Sequence, residues 1–182
     1  VYFTGDLREI SLSGEAYFKV AKENTRPFCV RSGEYCLKVY GTEFNLNTYD
    51  EENIEAVLVK GSVGFQANEA APEKRLKVNQ LGVANSKAGT SVIQDVDVTS
   101  YIAWKNHDLI FVNEELESIM KKVSRWYDVN IIFEDEVSKA VRFNGNIPKY
   151  AELEKLLYVM EKTSDVRFRI TDKTIRITKR KK

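Results

Sequence analysis

Side chains able to do covalent or metal chemistry are sparse in this sequence. One histidine, His107, stands far from the two cysteines, Cys29 and Cys36. A lone imidazole with no matched nucleophile makes neither a Ser/His/Asp nor a Cys/His set, and no glycine-rich phosphate loop precedes a helix. Two cysteines and a distant histidine do not have the spacing of a zinc site. The run Asp50-Glu51-Glu52 lacks the alternating spacing and central glycine of a calcium loop, so it reads as a solvated loop. Glu15 has no acid or base partner near it in sequence and reads as a loop residue rather than a catalytic carboxylate. The expectation is a protein that is not an enzyme, with no cofactor, no metal and no small-molecule substrate.

The cysteines carry one structural possibility. With Ser32-Gly33 as a two-residue turn, Cys29 and Cys36 face each other across a hairpin and point away from the Phe28/Val30 face. Directly opposed Cα atoms lie roughly 4.5–5.5 Å apart, within disulfide reach. A disulfide and two free thiols acting as small apolar residues both remain open.

The elements that must hold these residues fall into two sets. The chain has 182 residues, 43% hydrophobic and 30% charged, which fits one globular domain or two small ones. The net charge of +1 gives no overall field for nucleic acid or an anionic membrane. The tail Lys179-Arg180-Lys181-Lys182 is basic and reads as a solvated end. No run approaches the 18 or so apolar residues of a membrane span, and no signal peptide opens the chain. It starts at Val1-Tyr2-Phe3 without an initiator Met, and is read as an excised fragment.

Residues 1–100 read as an all-β subdomain with tight glycine turns, twisted and solenoid- or sandwich-like. The expected strands are 8–12, 16–20, 28–31, 35–39, 44–49, 54–60 and 63–66. Alternation sets the registers: Val30 opposite Tyr35, Val39 opposite Phe44 across Gly41-Thr42, and Leu12 opposite Ala16 across Ser13-Gly14-Glu15. Gly61-Ser62 is expected to join a further hairpin. Residues 67–75 and 86–90 read as loops.

The same residues resemble a known family. Gly5-Asp6-Leu7-Arg8, Gly14-Glu15-Ala16-Tyr17-Phe18, Arg26-Pro27-Phe28, Tyr40-Gly41-Thr42-Glu43-Phe44-Asn45 and Val57-Leu58-Val59-Lys60-Gly61-Ser62-Val63 resemble, in order and spacing, the FecR-type periplasmic sensors of cell-surface signalling. Leu76 to Ala84 resembles the family's next strand pair, with Val78-Asn79 standing where that family usually has Pro-Gly. Asn is the best non-glycine residue for a left-handed position, so the turn can survive.

Residues 101–182 read as a small α+β subdomain. Tyr101, Ala103 and Trp104 read as a linker or its anchor. Leu116, Ile119, Val129 and Ile131 are matched by Leu153, Leu156, Val166 and Phe168, always 37 residues on. Each half reads strand, helix, strand. The helices are expected over 114–127, capped by Asn113, and 150–163; Asp172-Lys173 is the final hairpin turn. Two βαβ halves lay two helices on a sheet. The order is similar to the secretin and TonB-receptor short N-terminal module.

These resemblances imply a function. The chain would be the periplasmic part of a transmembrane anti-sigma factor, tethered to the inner membrane by a helix absent here. It would receive a contact from the N-terminal signalling module of a TonB-dependent outer-membrane transporter. A missing cytoplasmic segment would bind an extracytoplasmic-function sigma factor. No nucleic-acid contact is implied. Strand addition at an exposed sheet edge is one way to make such a contact. On the last strand Ile175 and Ile177 alternate with Thr174, Arg176 and Thr178, which are the candidate partner-binding residues. The alternative is a carbohydrate-binding β module of a cell-envelope protein, with Tyr2, Tyr17, Tyr40 and Tyr49 as its platform.

Overall fold

The protein is described from a computed structural model, which covers residues 8–33, 35–50, 52–65, 67, 71–85, 87–148 and 150–180. Tyr2, Gly5-Asp6-Leu7, Glu51, Gln66 and the last two lysines of the basic tail lie outside the described residues. The chain forms two compact units, Val1–Ile102 and Ala103–Lys182.

The first unit is β-rich. Its strands are β1 (Arg8–Ser11), β2 (Glu15–Lys19), β3 (Phe28–Ser32), β4 (Tyr35–Val39), β5 (Glu43–Asn47), β6 (Asn53–Lys60), β7 (Val63–Phe65), β8 (Lys74–Leu76), β9 (Gln80–Asn85) and β10 (Thr90–Asp95), followed by the short helix α1 (Val98–Ile102). They form a three-stranded sheet β1-β3-β4, a five-stranded sheet β10-β9-β6-β5-β2 and a ribbon β7-β8. Alternation puts Phe28, Val30, Leu37 and Val39 of the small sheet into one core with Phe44, Leu46, Ile54, Ala56 and Leu58 of the large one. Val63, Phe65 and Leu76 of the ribbon join them. Burying each such side chain contributes about 1.5–3 kcal/mol, which is what holds the layers together. Tyr35 Oη donates to the Ala84 carbonyl at 2.6 Å and ties the small sheet to the large one.

Several expected hairpins are corners between sheets. Gly14, Gly41 and Gly61 all have positive φ, as turn glycines should. The strands on either side of them do not pair with each other. β1 runs parallel to β3, β2 pairs with β5, and β4 and β5 belong to different sheets. β6 pairs with β5 and β9, while β7 pairs with β8. A two-residue alternation fixes which face is buried but not which strand lies alongside. Glu15 is accordingly a strand residue, and its carboxylate accepts from Asn45 Nδ2 at 2.8 Å.

The one hairpin among these sites, β3–β4, closes on Ser32 and Tyr35 rather than on Arg31 and its expected partner. The shift moves the register by two residues, so the buried face is unchanged. Gly33 becomes the first loop residue, with φ of 56°. Cys29 now pairs with Lys38, and Cys36 with Arg31. The two cysteines sit on a diagonal, Cα atoms 5.8 Å apart, and form a disulfide. Non-reducing mass analysis is expected to find no free thiol. Cys29→Ser is expected to cost the first unit about 2 kcal/mol, because a short covalent loop no longer restrains the unfolded chain. Two titratable thiols in native, unreduced protein would contradict this.

Two further segments differ from expectation. Lys74 and Arg75, placed in a loop, belong with Leu76 to strand β8, and β10 extends the sheet past β9. At 77–80 the turn survives without Pro-Gly: Asn79 takes φ of 65°, and Gln80 N–H donates to the Lys77 carbonyl at 3.1 Å.

The second unit contains a 3-10 turn (Ala103–Asn106), β11 (Asp108–Glu115), α2 (Leu116–Tyr127), β12 (Asn130–Phe133), a 3-10 turn (Val137–Ala140), β13 (Arg142–Pro148), α3 (Leu153–Lys162), β14 (Val166–Thr171) and β15 (Thr174–Lys179). One sheet is β11-β13 and the other β12-β15-β14. Leu116, Ile119, Met120 and Val123 line one stripe of α2 and are fully buried. They share a core with Leu156, Leu157 and Met160 of α3, and with Phe111, Phe143, Val166, Ile175 and Ile177 from both sheets.

Asn113 does not cap α2. β11 runs on past it to Glu115, through a bulge in which Asn113 takes φ of 49°. Helix α2 starts at Leu116, whose N–H is satisfied by the Val141 carbonyl at 2.7 Å instead of by a side chain. Asp172-Lys173 does form the two-residue turn between β14 and β15, closed by Thr171 and Thr174.

Candidate partner-binding site

Thr174, Arg176 and Thr178 lie on β15, whose alternate residues Ile175 and Ile177 are fully buried. The three therefore point away from the core. The expected edge is elsewhere: β15 is the central strand, parallel to β12 on one side and antiparallel to β14 on the other. Its backbone groups are already paired, so no strand can add to it.

Register assembles the rest of this outward face. From β12, Asn130 lies beside Thr174 and Ile132 beside Arg176. From β14, Thr171 lies opposite Thr174, Arg169 opposite Arg176, and Arg167 opposite Thr178. The three arginines are exposed, and Ile132 retains 39% of its surface. Arg176 reaches Glu134 at 3.7 Å. Lys173 pairs with Asp128, the left-handed residue that ends α2, at the turn end of the face. At the other end Asp135 accepts from Ser138 N–H at 2.7 Å and Lys179 N–H at 2.6 Å. Burial pushes the Asp135 carboxyl up, but these donors outweigh it and hold it below its ordinary value.

Arg167 and Arg169 were absent from the sequence-based site. A signal for them exists: a two-residue turn at Asp172-Lys173 places Arg169 opposite Arg176 by counting outward. The arrival of Ile132 in parallel, 44 residues before its partner Arg176, has no such local signal.

β13, paired with β11 in a two-stranded sheet, has a free edge. An open groove of about 540 Å³ runs between β13 and α3. Phe143, Ile147, Leu156, Val159 and Met160 are among its lining residues. Its charged rim is balanced: Arg142 pairs with Glu115, and Lys155 with Glu152.

The other reactive residues are dispersed. His107 has φ of 63° and rests against the exposed Tyr150 ring, centroids 5.6 Å apart. Asp50 accepts from the Glu52 and Asn53 N–H groups and so shapes a turn. Among the described residues no group of three or more His, Cys, Asp or Glu side chains is placed to hold a metal ion. Of the described tyrosines in the proposed glycan platform, Tyr17 donates to Glu43 at 3.0 Å and Tyr49 lies against Gly14, while Tyr40 is half exposed after β4. Trp104 lies in the 3-10 turn that opens the second unit. Among the described residues no helix is long and apolar enough to cross a membrane.

Comparison with known proteins gives two family matches. The model described as FecR protein matches residues 2–64, and that described as FecR, C-terminal, matches residues 108–177. Two crystal structures of a provisionally assigned anti-sigma factor from Parabacteroides distasonis ATCC 8503, at 1.65 and 2.50 Å resolution, are similar along the whole chain. Each is 25% identical and covers 99% of this chain and 84% of its own, with TM-scores of 0.84 and 0.83. None of the curated proteins compared with this chain matches it.

Proposed function

This chain belongs to the FecR family, and from that premise we propose that it is the periplasmic regulatory part of a transmembrane anti-sigma factor. It relays a signal from a TonB-dependent outer-membrane transporter to an extracytoplasmic-function sigma factor, by protein contact and without catalysis. The observation that carries this reading is the pair of family matches, one in each unit, together with the likeness over 99% of the chain to the provisionally assigned anti-sigma factor. The division of labour proposed is a β subdomain over 1–100 and, over 101–182, a head like the secretin and TonB-receptor short N-terminal module. The order strand, helix, strand in each half of the second unit supports it. The sigma factor is reached through a cytoplasmic segment outside this chain, and the tether is a membrane helix outside it as well.

The transporter's N-terminal signalling module is proposed to seat on the outward face that carries Thr174, Arg176 and Thr178. Arg is over-represented at the energetic centres of protein interfaces, and its loss there costs well over 1 kcal/mol. Arg176→Glu is therefore expected to weaken binding of the cognate signalling module by roughly tenfold or more. Calorimetric titration of wild type and variant measures it, and equal affinities would move the contact off this face.

A further inference from the structure

The outward face of β12-β15-β14 has a charge pattern that the fold does not need. Arg169 and Arg176 are directly opposite on neighbouring strands. Like charges in that position destabilise a sheet. Arg167 is two residues from Arg169 on the same strand, so a third guanidinium lies on the same face. Glu134, 3.7 Å from Arg176, is the one carboxylate paired with any of the three among the described residues; neither Arg167 nor Arg169 is in an ion pair there. Protection of an exposed edge accounts for charge on β14, an edge strand, but not for Arg176 on the central strand. Thr or Glu at 169 would keep the same alternation and the same core.

We infer that this face is a docking surface for an extended acidic segment of a partner protein, with Arg167, Arg169 and Arg176 receiving its carboxylates and Ile132 giving an apolar contact. The inference rests on the reading that the chain acts by protein contact, and adds the chemistry of the partner. Residues two apart in a strand are separated by roughly 6.6 Å, so an extended segment with Asp or Glu at alternate positions matches the spacing of Arg167 and Arg169. A guanidinium binds a carboxylate through two parallel N–H···O bonds, which repays the unfavourable Arg169–Arg176 juxtaposition only when the partner is present. Thr171 and Thr174 add hydroxyls that bond a backbone or side-chain amide. The groove beside β13 has no such demand, since both cations on its rim are already paired. A protein fits this face better than a membrane surface: Ile132 is its one exposed large apolar side chain, with no aromatic residue set to enter a bilayer.

The test uses the whole chain and a synthetic peptide alternating Glu and Thr, with the matching Gln/Thr peptide as control. Amide NMR shifts are followed during titration. The Glu peptide is expected to shift the amides of Ile132, Arg167, Arg169 and Arg176, and to bind roughly tenfold more weakly at about 300 mM than at about 50 mM salt. Arg169→Glu with Arg176→Glu is expected to abolish these shifts. Arg169→Glu alone places opposite charges across the strands, and is expected to raise the melting temperature by about 2–4 °C while weakening the peptide. Loss of binding with gain of stability separates docking from a structural role. Equal binding of the Gln peptide, shifts confined to other surfaces, or shifts that survive the double reversal would overturn the inference. So would binding to phosphatidylglycerol vesicles but not to the peptide. The cognate signalling module separates this from the relay itself. If the module binds wild type and the double variant alike, the docking surface is wrong and the relay stands. If it binds neither, the relay is wrong and the peptide decides the surface.

Discussion

Gly41→Ala is expected to destabilise the first unit by about 3 kcal/mol or more, enough to leave much of it unfolded at 37 °C. Two costs add. Gly41 has φ of 148°, a conformation that L side chains rarely adopt. A Cβ placed there would also lie 2.6 Å from the Lys22 Cα and 2.8 Å from its Cβ. The first of those atoms is backbone, so no rotamer change relieves the clash. The segment cannot retreat cheaply either: Val20 N–H donates to the Thr42 carbonyl at 3.0 Å and Glu23 N–H to the Tyr40 carbonyl at 2.8 Å, which holds it against the corner. Thermal or urea unfolding measures the loss. An alanine variant as stable as wild type would show that the corner is not close-packed.

Phe44→Ala is expected to cost about 3–5 kcal/mol. Phe44 is completely buried on β5, stacked on Phe18 with centroids 5.0 Å apart. Phe18 in turn tilts against Phe28 at 6.0 Å. Since Phe28 belongs to the small sheet and the other two to the large one, this chain of rings is one of the contacts through which the sheets adhere. Removing Phe44 takes away the ring on which Phe18 stacks and opens a cavity walled by strands that cannot readily collapse into it. Phe44→Leu should recover more than half of the loss, and a leucine variant no better than alanine would argue against a packing origin.

Both residues belong to Tyr40-Gly41-Thr42-Glu43-Phe44-Asn45, one of the stretches that carries the family resemblance, and its other members are engaged in the fold as well. Buried Thr42 donates to the Ser62 carbonyl, Glu43 accepts from Tyr17, and buried Asn45 donates to Glu15. Arg8, from the Gly5-Asp6-Leu7-Arg8 stretch, is buried too, with its guanidinium on the Arg26 and Ala21 carbonyls and near Glu23. A motif of this kind identifies a family through its scaffold. It points to no reactive centre, and the surface proposed for contact lies in the other unit.

What the sequence makes legible follows from the range of each signal. Alternation names the buried face correctly even where the register is two residues off, as for Phe28, Val30, Leu37 and Val39. It says nothing about which strand arrives alongside, so Gly14, Gly41 and Gly61 look like hairpin turns when they are corners. Helical stripes at Leu116–Val123 and the Asp172-Lys173 turn are local and read well. The cap of α2 does not, because its donor is satisfied by Val141, 25 residues away, and that pairing depends on the bulge at Asn113. In the candidate site the outward phase of Thr174, Arg176 and Thr178 was readable. That β15 is central, flanked by Arg169 and Ile132, depends on a parallel pairing with β12 that only the folded chain reveals.

Hydrogen exchange of the chain, alone and with the cognate transporter's signalling module, bears most directly on the claim that it works by contact through this face. Protection is expected to rise in β12, β14 and β15 when the module is added, and to return to the free pattern in the Arg169→Glu/Arg176→Glu variant. Identical exchange with and without the module, or protection confined to the first unit, would contradict the account.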